Sequence, residues 1–216
     1  MKKVNTLNKM MDSGLIAVVR GNSEEEAIKT CELLVEGGIY GLEITFTVPN
    51  ANNVIRKLTE KFADNDKVII GAGTILDPIS ARMAIDSGAN FIVSPSFDKE
   101  VAVLANLYQV PYTPGCATPT EITEALKYGV DLIKLFPGSS FGPSHIKSLK
   151  GPFPDLSIMP SGGVSFENME EWLEAGAVTL SAGSNLTNPF EGATSEDIVE
   201  NARKYADQFN QLKQNV

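Results

Sequence analysis

One histidine, two cysteines and one tryptophan are spread over 216 residues. With a single imidazole, a zinc site of paired histidines on one helix is impossible. Any Ser-His-Asp or Cys-His nucleophile would have to use His145. That residue stands in Gly142-Pro143-Ser144-His145-Ile146, where a surface position at a helix start is the expected reading. Cys31 and Cys116 cannot build a disulfide framework. The first falls in a helical pattern and the second in a loop, and both are expected as reduced thiols. No apolar run reaches membrane-spanning length. Met1-Lys2-Lys3-Val4-Asn5-Thr6 leads into no secretory apolar stretch, so a cytoplasmic protein with no membrane partner is expected. Basic residues are also scarce: 18 Lys and Arg stand against 27 Asp and Glu, for a net charge of −9. Such a surface repels phosphate backbones and argues against a nucleic-acid partner. An anionic substrate would need a local positive site.

What is present is a repeat of pattern. With 43% hydrophobic and 21% charged residues the chain can bury a real core. Eight apolar, β-branched runs of strand length, at 15–20, 40–46, 67–75, 91–96, 110–114, 132–137, 157–162 and 178–183, are each followed by polar or glycine-rich residues and then a helical pattern. Ser23 with Glu26, and Thr118 with Glu121, read as capping boxes, and Asp77-Pro78 opens another helix. Gly38, Gly88, Gly129 and Gly176 each end a helix before the next strand. Trp172 falls at core spacing beside Met169 and Leu173. Alternating strands and helices imply a parallel sheet. Eight units in one short chain fit a single (β/α)8 barrel domain over 1–216, with an extra N-terminal helix at 4–13 whose Leu7, Met10 and Met11 cover the barrel floor. The competing architecture is an open doubly wound sheet. Against it, no single glycine-rich first turn stands out, and polar residues decorate many strand ends.

Such a barrel does its chemistry at the C-terminal ends of its strands. In Leu132-Ile133-Lys134-Leu135-Phe136, alternation turns Ile133 and Leu135 outward and Lys134 inward. Removing an ammonium from water favours its neutral form, and a neutral amine can attack a carbonyl to form a Schiff base. The plainer reading is a structural lysine paired with a carboxylate. Glu43 and Thr45 turn inward in Leu42-Glu43-Ile44-Thr45-Phe46; Glu43 is a candidate proton shuttle or simply a counter-ion. Met159-Pro160-Ser161-Gly162-Gly163-Val164 and Ser181-Ala182-Gly183-Ser184-Asn185 end the last two strands. There glycine N–H groups and serine hydroxyls could bind a phosphate. Arg20 could clamp a carboxylate or lie idle at the surface. Gly71-Ala72-Gly73-Thr74 offers a close approach and the Thr74 hydroxyl, or merely a tight turn.

In this order the residues resemble the 2-keto-3-deoxy-6-phosphogluconate (KDPG) and 4-hydroxy-2-oxoglutarate (KHG) aldolase family. The likeness runs from Ile16 to about Leu186 through AVVRG (17–21), EGGIYGLEITFTVPNA (36–51), GAGTI (71–75), FIVSPSF (91–97), TPGCATPTE (113–121), IKLFPG (133–138) and MPSGGV (159–164). The resemblance implies a class I aldolase of carbohydrate metabolism, serving the Entner–Doudoroff pathway, that forms pyruvate from a phosphorylated 2-keto acid. It implies Lys134 as the Schiff-base lysine and Glu43 as the general acid/base. Thr74 falls in the pyruvate site, Pro95 and Phe136 on the pocket wall, and Ser161, Gly162, Gly163 and Ser184 at the phosphate, where the strand-end reading adds Gly183. It further implies a homotrimer with no metal and no cofactor. Two positions depart from the family pattern. Thr47 stands where some members carry an arginine, which leaves Arg20 as the anion anchor, and Ser161 stands where threonine is frequent. KDPG is the substrate expected, with its galactonate epimer and 4-hydroxy-2-oxoglutarate as enzymatic alternatives. Two readings lie outside this chemistry: a phosphate-binding isomerase or synthase barrel, and a barrel that binds a phosphometabolite without turnover.

Overall fold

A computed structural model describes residues 1–213. It contains eight strands: β1 (Leu15–Val19), β2 (Gly41–Thr45), β3 (Ile69–Gly73), β4 (Phe91–Val93), β5 (Tyr112–Thr113), β6 (Ile133–Leu135), β7 (Ile158–Pro160) and β8 (Leu180–Ala182). Around them run α1 (Lys2–Ser13), α2 (Glu24–Glu36), α3 (Ala51–Lys61), α4 (Pro78–Asp86), α5 (Lys99–Leu107), α6 (Pro119–Lys127), the short α7 (Gly138–Phe141), α8 (Pro143–Lys150), α9 (Met169–Glu174), the short α10 (Ser184–Thr187) and α11 (Ser195–Lys213). Each strand lies inside the run expected for it. β5 is the shortest because Pro111 and Pro114 flank it, and neither has an N–H to extend a ladder.

All pairings are parallel. One ladder runs β5-β4-β3-β2-β1-β8 and a second joins β6 to β7. Hydrogen bonds cross both seams between them. Lys134 N–H donates to the Pro114 carbonyl at 2.9 Å, and Val178 N–H to that of Ile158 at 3.0 Å. The registers show that the sheet closes. Moving from Glu43 around the sheet and advancing one residue at each strand visits Ala72, Val93, Pro114, Lys134, Pro160, Ser181 and Ala17, and then returns to Glu43. That stagger is the shear of an eight-stranded barrel. The open-sheet alternative is thereby excluded.

The same walk sorts the interior into layers, with alternate strands supplying each one. Glu43, Val93, Lys134 and Ser181 share a layer. Ile16, Gly71, Thr113 and Met159 lie beneath it, with Phe91 and Leu132 lower still. Ile16, Ile69, Phe91, Val93, Leu132 and Met159 form a compact apolar cluster that Met10 of α1 closes from below. Leu7 packs on its edge, but Met11 is only part-buried and outside the cluster. Outward residues such as Ala17, Ala72, Ile133 and Leu135 join the larger core under the helices, where Trp172 is also buried.

The helix starts follow the local signals, with one difference. Thr118 and Glu121 form the full reciprocal box, and Asp77 accepts from Ser80 N–H at 2.8 Å. Ser23 caps α2 as expected, but Glu26 reaches past it to Asn22 N–H at 2.7 Å. The four glycines that end helices all adopt positive φ.

Candidate active site

Lys134 reaches the barrel axis because it occupies the inward phase of β6. Its backbone is fixed on both edges: its N–H donates to Pro114, its carbonyl accepts from Cys116, and it pairs with Met159. Glu43 arrives from β2, four strands away around the wall. Its carboxylate leans over Gly73, and a side chain there would overlap it. The two groups meet with Nζ 3.8 Å from Oε1, their side chains 7% and 1% exposed. Glu43 Oε2 is buried and without a hydrogen-bond partner among the described residues. Lys134 Nζ also lies 4.9 Å from the centre of the Phe136 ring, which covers one side of the amine.

A cavity of about 190 Å³ opens above this pair. Its lining brings together all eleven residues proposed from the sequence: Arg20, Glu43, Thr74, Pro95, Lys134, Phe136, Ser161, Gly162, Gly163, Gly183 and Ser184. Val18, Thr45, Val164 and Asn185 line it too. Alternation already turns Thr45 inward beside Glu43, and alternation from Arg20 along β1 could have identified Val18. Val164 and Asn185 come from loops whose course no periodicity gives. Thr45 Oγ1 donates to the Val19 carbonyl at 3.2 Å and lies 2.8 Å from Thr47 Oγ1, so Thr47 braces the site from one layer higher.

Gly162 and Gly163 have φ of 84° and 82°, a region that opposes side chains. Their N–H groups donate to no protein acceptor among the described residues. Gly138 N–H binds the Ser161 carbonyl at 2.7 Å, locking the loop after β6 against the loop after β7. Ser161 turns its hydroxyl into the β7–β8 seam, toward Ser181 Oγ at 3.2 Å. Thr74 is itself held at φ 58°, a strained conformation for a β-branched residue. Arg20 stands exposed at the rim beside Gly183 and pairs with no carboxylate among the described residues. It also borders a wider cavity of about 720 Å³ that adjoins the first and includes Lys29 and Thr47.

The remaining sequence candidates lie elsewhere. His145 is part-buried, hydrogen-bonds the Ala117 carbonyl through Nε2 at 2.7 Å and stacks on Phe141; it does not line the cavity. Both cysteines are free and buried. Desolvation pushes the Cys116 thiol up to about 12 and raises that of Cys31 as well. Among the described residues no group of three or more His, Cys, Asp or Glu side chains is placed to hold a metal, and no helix is long and apolar enough to cross a membrane.

Fold and site together define a (β/α)8 barrel with a buried amine beside a carboxylate at its catalytic mouth. Comparison with known proteins narrows the class. The family model for KDPG and KHG aldolase matches residues 6–200. The 2-dehydro-3-deoxy-6-phosphogalactonate aldolase of Escherichia coli is 33% identical over 93% of this chain and 96% of its own. A 2-dehydro-3-deoxy-phosphogluconate aldolase of Pseudomonas aeruginosa is 34% identical over 80% of this chain and 78% of its own. Among solved structures, the KDPG aldolase of Legionella pneumophila, with pyruvate captured as a covalent carbinolamine, superposes with a TM-score of 0.80 at 27% identity, covering 98% of each chain. The chain belongs to the KDPG and KHG aldolase family, and its activity is that of an aldehyde-lyase.

Proposed function

We propose that this chain cleaves KDPG to pyruvate and glyceraldehyde 3-phosphate through a Schiff base on Lys134. The observation that carries the reading is the 3.8 Å approach of the buried Lys134 amine to the buried Glu43 carboxylate, at the mouth of the barrel. The amine attacks the C2 ketone. Glu43 shuttles protons while the carbinolamine loses water to give an iminium. Glu43, directly or through one water, then takes the C4 hydroxyl proton. The C3–C4 bond breaks, its electrons pass into the iminium, and glyceraldehyde 3-phosphate leaves. Protonation of the enamine at C3 and hydrolysis release pyruvate and the free amine.

The unclaimed N–H groups of Gly162 and Gly163, with Ser184, suit the phosphate. Thr74 suits the pyruvyl carboxylate. Arg20 serves as an anion anchor; beside Gly183 it can support the phosphate end as well as the carboxylate. The carbinolamine trapped in the Legionella relative is a further support for lysine chemistry in this reading. The test is borohydride reduction in the presence of pyruvate. A pyruvyl adduct on the Lys134 peptide is expected, and active enzyme with that peptide unmodified would sink the reading.

The galactonate epimer is the second reading, favoured by the Escherichia coli relative that matches nearly end to end. 4-Hydroxy-2-oxoglutarate shares the lysine chemistry but carries a carboxylate where the others carry phosphate. Ranking kcat/KM for the three substrates, with pyruvate coupled to lactate dehydrogenase, separates them: KDPG is expected first, and a higher value for the epimer reassigns the substrate.

We also propose that the protein is a homotrimer. Leu76, Ile79, Met83, Val103 and Leu107, on and beside α4 and α5, form an exposed apolar face, with Ile79 and Leu107 both 73% exposed. Faces of this kind mark association surfaces. Sedimentation equilibrium should give three times the chain mass for the native protein and a lighter species for Ile79→Asp. A cytoplasmic setting agrees with two buried free thiols.

A further inference from the structure

Thr113 is the inward residue of β5, in the layer directly beneath Glu43 and Lys134. It pairs with Val93 on one side, and two residues further on Gly115 pairs with Lys134 on the other. Its companions in that layer, Ile16, Gly71 and Met159, bring no hydroxyl, amide or charge. Thr113 is fully buried, and its Oγ1 has no hydrogen-bond partner among the described residues. The same is true of Glu43 Oε2 in the layer above. The other two such atoms, Thr59 Oγ1 and Trp172 Nε1, lie outside the barrel interior, on α3–α4 packing and on α9. Buried polar atoms almost always find partners. Here the two that face the barrel axis lie in adjacent layers of its interior, with the Glu43 carboxylate 3.8 Å from the Lys134 amine of β6.

We propose that Thr113 is a positioning residue whose hydroxyl and Glu43 Oε2 share one hydrogen-bonded partner, a buried water, that keeps the carboxylate turned toward the Lys134 amine. A buried water makes two to four such bonds and is retained where polar groups would otherwise be unpaired. The inference rests on the Schiff-base reading above. It assigns Oε2 to anchoring and leaves Oε1, the oxygen facing Nζ, free to exchange protons. Valine would fill the same space without the hydroxyl.

The experiment compares Thr113→Val and Thr113→Ser with the native enzyme in kcat, KM, the pH dependence of kcat/KM, and borohydride trapping of pyruvate. Thr113→Val is expected to lower kcat about tenfold with KM within about twofold, the scale of one lost buried hydrogen bond. The acid limb of its pH profile should move to higher pH. Thr113→Ser should recover native behaviour to within about threefold. Trapping on Lys134 should persist in both. Native kcat and pH profile in Thr113→Val would overturn the role, as would a serine variant no better than the valine one. Failure of trapping in the native enzyme would instead bring down the Schiff-base reading. Should Thr113→Val not fold, a high-resolution crystal structure of the native enzyme decides. A water within about 3.2 Å of both oxygens is required, and its absence from clear density overturns the proposal.

Discussion

Leu132 and Lys134 are two residues apart and turn their side chains the same way, into the barrel. One pleat, roughly 7 Å, separates an apolar floor from a mouth that holds an amine beside a carboxylate. The floor cluster is sealed by Met10 and carries no charged side chain. The mouth holds the buried Lys134–Glu43 pair and opens to solvent past Arg20. The floor obeys ordinary packing rules, where apolar area removed from water stabilises and volume must be filled. The mouth does not: removing two ions from water costs free energy that their attraction recovers only in part. A pair kept under those terms is explained by chemistry rather than by stability.

The sharpest way to break this contrast is Lys134→Met. If the mouth exists for chemistry, pyruvate release should fall by at least about four orders of magnitude, as when a covalent nucleophile is removed. The fold should also suffer, because Glu43 is left buried without its cation, a loss on the order of 3 kcal/mol. Coupled assay and urea titration measure the two effects. Activity that survives would return Lys134 to the floor's category, a structural residue that happens to be charged.

Gly73→Ala probes the mouth without touching either ion. The added methyl would overlap the Glu43 carboxylate and must displace it. A misplacement of about 1 Å can cost about a hundredfold in rate, so kcat should drop by about that factor while the borohydride adduct on Lys134 still forms. A native kcat would mean that the carboxylate's position over β3 is immaterial.

The floor and the mouth were not equally legible in the sequence. Period-two alternation turned Lys134 and Glu43 inward, and glycine-rich strand ends marked the anion loops, so the chemistry at strand ends could be read. Alternation alone did not show that the two residues occupy one layer; that needs the cross-strand registers and the barrel stagger. Thr113 opens the TPGCATPTE stretch, but its unpaired hydroxyl is a property of its neighbours. The apolar face at Ile79 and Leu107 escaped detection because a helix stripe facing solvent has the same period as one facing the core. Glu26 reached Asn22 instead of Ser23 because a carboxylate on the first turn can satisfy either N–H, a choice the loop geometry makes.

Leu132→Ala tests the floor. Leu132 is buried in the lower cluster. Its truncation should cost about 2–5 kcal/mol in urea titration through lost transfer energy and a cavity. kcat measured well below the melting transition should stay within about threefold of native, because the change lies below the layer that holds the ions. A loss of rate as large as that of Gly73→Ala would show that floor and mouth are one mechanical unit.

The smallest effect expected lies at the rim, where α6 begins just after β5. Glu121 accepts hydrogen bonds from the N–H groups of Ala117 and Thr118, at 3.0 and 2.9 Å. These bonds, the Ala117 backbone bond first, hold its carboxyl below the usual carboxylate range. The sign follows directly. A carboxyl whose folded value is depressed adds stability above its unfolded value, about 4.3, and loses it as pH falls through the folded value. Thr118→Ala removes the reciprocal partner and should cost about 1 kcal/mol at neutral pH. Glu121→Gln should be less stable than native protein at pH 7, with the difference in urea midpoint closing below about pH 4. Because this carboxylate is peripheral to the cavity, Glu121→Gln should keep the native kcat at each pH across the same range in which its stability changes. A parallel fall in both would place the rim within the catalytic mouth and move the boundary between the two regions outward by one helix turn.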